Sequence, residues 1–87
     1  MFKLLNRGSV YTIKGSVADL EALKAIEFVE KGDVYNVEAE VTINEVDYPA
    51  HNNFVYIGDK PNQALIESNW DSLGGMTLNN GVEDAYF

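Results

Sequence analysis

The chain has 87 residues, 46% of them apolar, which is enough for one domain with a thin core and too little for a second. Six basic residues against fourteen acidic ones give a net charge of −8, which repels a phosphate backbone and an anionic lipid surface. Cysteine is absent, which excludes disulfide staples and thiolate metal ligation.

A thin core without staples makes shared surface in an oligomer the expected remedy. The apolar part of Met1-Phe2-Lys3-Leu4-Leu5-Asn6-Arg7-Gly8 is too short for a secretion signal. No run approaches the roughly 20 apolar residues that cross a bilayer. The expectation is a single small domain over 1–87, made in the cytoplasm, with neither nucleic acid nor membrane as a partner.

In chain order, Val10-Tyr11-Thr12-Ile13 is β-branched and aromatic, and predicts a strand over 9–14. Ser16 with Asp19 three residues later approximates a capping box. The Ala-, Leu- and Glu-rich stretch after it predicts a short helix near 17–25. Gly32-Asp33 marks a turn. From there Tyr35, Val37, Ala39, Val41 and Ile43 fall on one face and Asn36, Glu38, Glu40 and Thr42 on the other. This alternation is the sharpest pattern in the chain and predicts one long strand, buried on one side and wet on the other.

Asn44-Glu45 can turn the chain so that Val46-Asp47-Tyr48 pairs back before Pro49. His51-Asn52-Asn53 reads as a second turn, and Phe54-Val55-Tyr56-Ile57 as a strand ending at Gly58-Asp59. Residues 59–69 read as a loop holding one helical turn around Ala64-Leu65-Ile66, followed by the short unit Trp70-Asp71-Ser72-Leu73. The fold class expected is α+β, mostly β: a small curled antiparallel sheet of about four strands with one short helix.

Catalytic parts are few. His51 is the only histidine, and its neighbours are those of a turn rather than of a base or ligand. A zinc site would need several carboxylates that no helix presents together, and no phosphate-binding glycine loop is present. Glu38 and Glu40 share the wet face of a strand, where both stay solvated and neither is tuned for acid–base work. No catalytic residue, cofactor or metal is expected.

The aromatic residues carry the remaining signal. Tyr35, Phe54, Tyr56 and Trp70 lie in or beside predicted strands, where core packing competes with roles at a subunit interface or as a sugar-stacking platform. Tyr86 and Phe87 end a polar tail and, with Phe2, Leu4 and Leu5, are candidates for docking on a neighbouring surface.

Four pieces stand in a recognisable order: Gly15-Ser16-Val17 with a Leu-containing helix, Gly32-Asp33-Val34-Tyr35-Asn36-Val37, Phe54-Val55-Tyr56-Ile57-Gly58, and Trp70-Asp71-Ser72-Leu73-Gly74-Gly75. Together they resemble the small module of bacteriophage head fibre and tail fibre proteins, over about residues 13–75, with possible docking termini at 1–8 and 76–87. The resemblance implies a structural or adhesive virion component (head fibre, tail fibre or capsid decoration), commonly homotrimeric, made in the host cytoplasm and contacting other virion proteins or a host surface glycan. Two stretches, 41–52 and 60–68, are longer than the pattern and suit surface loops with partner-specific contacts. Two other readings remain open: a small acidic inhibitor that binds a host protein in the manner of a DNA mimic, and a carbohydrate-binding module using Tyr56 or Trp70.

Overall fold

A computed structural model describes residues 11–75. Six strands and one short helix follow one another as β1 (Thr12–Val17), α1 (Leu20–Lys24), β2 (Asp33–Val37), β3 (Val41–Ile43), β4 (Val46–Tyr48), β5 (Asn52–Tyr56) and β6 (Trp70–Gly74), with a single 3₁₀ turn at Glu67–Asn69. The class is the one expected: mostly β, a four-stranded sheet and one short helix. The sheet order is β1-β2-β5-β6, and β3 and β4 form a separate two-stranded ribbon. The sheet is mixed rather than antiparallel throughout, because β1 runs parallel to β2 while β5 and β6 follow antiparallel. A parallel neighbour needs a crossover of a dozen or so residues, and residues 18–32, which contain α1, supply it.

The helix is shorter than the expected 17–25. Val17 instead pairs with Val37 at the end of β1. The cap is Asp19, not Ser16: its carboxylate accepts the Ala22 N–H at 2.9 Å, and Ser16 Oγ donates to Glu38 across the strands. Glu21 in the first turn and Lys24 in the last complement the helix dipole. The first strand likewise runs to Val17 rather than stopping at 14. Its register shifts between Ile13 and Gly15, and Gly15 takes φ +139°, a conformation that glycine adopts without strain.

The long alternating stretch forms two strands, not one. Its burial pattern holds: Val37, Val41 and Ile43 are buried while Glu38, Glu40 and Thr42 are exposed. Period two fixes which side chains face the core, but not which strand is the neighbour. The chain bends after Val37, and β3 pairs with β4 across Asn44-Glu45. Both turn residues have positive φ, 52° and 67°, as a two-residue hairpin turn requires.

The core lies on one face of the sheet. Leu23 of α1, Val41 and Ile43 of β3, Val29 and Ala64 gather there over Val37, Phe54, Tyr56 and Trp70. The expected turn at 51–53 is confined to His51, at φ 67°, and Asn52 and Asn53 are already buried in β5. They are tolerated because their amides are satisfied. Asn52 Nδ2 donates to Ser72 Oγ at 2.8 Å, Asn53 Nδ2 to the Gly74 carbonyl at 3.0 Å, and Asn36 Nδ2 to Asn53 Oδ1 at 2.9 Å.

Candidate interaction surface

The aromatic residues singled out in the sequence divide into core and rim. Phe54 and Tyr56 are fully buried, and Trp70 is 2% exposed. Phe54 meets Tyr48 edge-on, with ring centroids 5.2 Å apart, and Trp70 packs edge-on against both Tyr56 and Tyr35. The Trp70 indole N–H donates to the Ala64 carbonyl at 2.9 Å. Phe54, Tyr56 and Trp70 therefore have no ring face to offer a sugar or a partner subunit, which corrects both expectations for them. Tyr35 is half-buried at the core's rim. Tyr86 and Phe87 lie outside the described residues.

Tyr56 has a different role: its hydroxyl organises the loop from 57 to 69. Tyr56 Oη donates to the Lys60 carbonyl at 2.6 Å and accepts from the Gln63 N–H at 3.1 Å and Asn69 Nδ2 at 3.3 Å. The Ile57 N–H donates to the Asn69 carbonyl at 2.7 Å, which closes the loop's base. Asn62 then ties the loop to the segment after α1. Its N–H donates to the Val29 carbonyl at 2.7 Å, and its Oδ1 accepts the Val29 N–H at 2.9 Å.

This pinned loop carries apolar side chains outward. Leu65 is 71% exposed, Ile57 and Ile66 are also exposed, and Phe28, on the segment that Asn62 anchors, is 76% exposed. Large apolar side chains held in place on a surface are the usual material of a protein–protein contact. The sequence marks 60–68 as a loop suited to partner contact but gives Phe28 no special standing. The Asn62–Val29 pairing and the Lys31–Asp59 ion pair bring its segment beside that loop.

The titratable groups are mostly solvated. Glu38 and Glu40 are exposed, and so is His51. Between Gly32 and Lys60 there are six acids and no lysine or arginine. Among the described residues no three histidines, aspartates or glutamates group to hold a metal. Glu67 takes hydrogen bonds from two directions. The Asn44 backbone N–H, and after it the Lys24 ammonium, hold its pKa below the ordinary glutamate value of 4.5.

These features define a small mixed-sheet β domain whose distinguishing surface is apolar and fixed. No protein-family profile, curated protein or solved structure matches the chain.

Proposed function

We propose that the chain is a non-catalytic structural and adhesive component of a bacteriophage particle (a head fibre, tail fibre or capsid decoration module) that works as a homotrimer beside other virion proteins. The sequence resemblance supports the particle. The four pieces that carry it fall on the end of β1 with α1, on β2, on β5 and on β6, so the likeness lies in the frame of the domain. The observation that supports assembly is the exposure of Phe28 and Leu65 next to the hydrogen-bonded residues Val29 and Ile66. Burial at a subunit contact recovers about 1.5–3 kcal/mol for each such side chain.

Light scattering of the purified chain over a dilution series tests the reading. A species near three times 9.7 kDa is expected. Phe28→Ser with Leu65→Ser should reduce it to the single-chain mass while the far-ultraviolet circular dichroism stays unchanged. A wild-type chain that remains single at high concentration refutes the trimer.

A second reading rests on the exposed acids Glu38, Glu40, Glu45, Asp47 and Asp59: an inhibitor that presents them to a basic host protein. Its affinity for that partner would fall steeply with salt, whereas an apolar subunit contact would hold or tighten.

A further inference from the structure

Strand β6 stands last in the sheet, with β5 on its inner side and no strand beyond it among the described residues. Such an edge ordinarily offers a row of free N–H and C=O groups to another chain. The pairing tells which groups point outward. The Ile57 N–H donates to the Asn69 carbonyl at 2.7 Å, and bonded and non-bonded pairs alternate along an antiparallel ladder. Val55 and Asp71 are then a bonded pair, whereas Tyr56 with Trp70 and Phe54 with Ser72 are not. Trp70 and Ser72 therefore turn their backbone groups away from β5. Both outward N–H groups are already taken. The Trp70 N–H donates back to the Glu67 carbonyl, and the Ser72 N–H donates to Asp71 Oδ1 at 3.0 Å. The register then skips Leu73 between Phe54 and Asn53, a bulge that bends the strand. Past it, the Gly74 N–H donates to Ser72 Oγ at 3.2 Å.

We propose that β6 is an edge closed to strand addition by a second copy of the chain, and that the Asp71 carboxylate closes it by filling the donor at the middle of the strand. An incoming strand could still donate to the outward carbonyls of Trp70 and Ser72. Its own carbonyls would face N–H groups that are already engaged, so the ladder could form in one direction only, and acceptors shut away from water without a donor are costly. The side chain of Asp71 is exposed, so it is free to serve the backbone beside it. At this edge, copies of the chain are left to meet through side chains rather than through a shared sheet.

Amide hydrogen exchange and light scattering on the full chain test the proposal. The wild-type Ser72 amide is expected to exchange more slowly than in an unstructured peptide of the same sequence, although its strand is at the edge. Asp71→Ala removes the acceptor. It should lower that protection severalfold and form species above the wild-type mass as the concentration rises. Asp71→Asn keeps an acceptor oxygen without the charge and should match wild type in both measurements. A wild-type Ser72 amide as fast as the peptide overturns the proposal before any variant is made. An Asp71→Ala chain that stays at the wild-type mass overturns it too. So does an Asp71→Asn chain that grows as Asp71→Ala does, because charge repulsion rather than the filled donor would then guard the edge. Fluorescence of the buried Trp70, one residue away, shows that each variant is folded. The outcome is independent of whether the chain belongs to a phage particle.

Discussion

Asn44 donates twice to Glu67: its backbone N–H to Oε1 at 3.0 Å, and its side-chain amide to the backbone carbonyl at 3.3 Å. Glu67 Oε2 takes the Lys24 ammonium at 3.0 Å. One carboxylate thus joins the tip of the β3–β4 ribbon to the last turn of α1.

That clasp makes a pH prediction. The folded-state pKa of Glu67 is lowered by the Asn44 N–H and by Lys24, so its contribution to stability is present above the unfolded value near 4.5 and is lost as pH falls through the lower folded value. Glu67→Gln should melt earlier than wild type at pH 7, and the gap should narrow as the pH drops below 4.5. A gap of constant size would show that the carboxylate's charge is not what holds the ribbon.

Gly58 is required by space rather than by backbone angle. A Cβ there would stand 2.7 Å from Tyr56 Oη and 2.9 Å from Asn69 Cγ, at the centre of the hydrogen bonds that pin the loop. Gly58→Ala should cost about 1–3 kcal/mol, the range for forcing atoms into a packed site, measured by denaturant unfolding.

Tyr56→Phe keeps the ring and removes the hydroxyl. The Gln63 N–H and the Lys60 carbonyl lose their partner, at about 0.5–1.5 kcal/mol, because both belong to exposed residues that water can reach. The protein should remain folded, with the loss read in the same unfolding experiment.

Glu45 sits at φ 67° in the hairpin turn, where a residue with a Cβ is strained by about 1–2 kcal/mol. Glu45→Gly relieves this and gives up part of the gain to the freer unfolded chain. A net stabilisation of about 0.5–1 kcal/mol is expected, visible as a higher melting temperature.

How far the sequence revealed the molecule depends on the range of the forces involved. The Asn44-Glu45 turn, the pairing of Val46–Tyr48 and the buried side of 35–43 are set within a few residues and were legible. The break after Val37 was not, because the partner of β3 is chosen by the turn and by packing on Phe54. The parallel seating of β1 is likewise invisible to local patterns, since Val17 has β propensity but its neighbour Val37 is twenty residues away. Asn52 and Asn53 read as turn residues because Asn is usually exposed, and cross-strand partners such as Ser72, Gly74 and Asn36 make their burial tolerable. The candidate surface was half visible: the loop could be marked, but which aromatic residues lie inside and which outside depends on tertiary neighbours.

The hydroxyl of Tyr56 also decides how the molecule breathes. Residues 57–69 have almost no regular structure, and a stretch of that kind ordinarily exchanges its amide protons as fast as a free peptide. Here the amides of Ile57, Asn62 and Gln63 are bonded to the Asn69 carbonyl, the Val29 carbonyl and a fully buried phenol. These bonds restrain local opening, so the three protons should exchange more slowly than those of a free peptide, and the Gln63 proton most slowly, because its acceptor is the phenol buried beside Trp70.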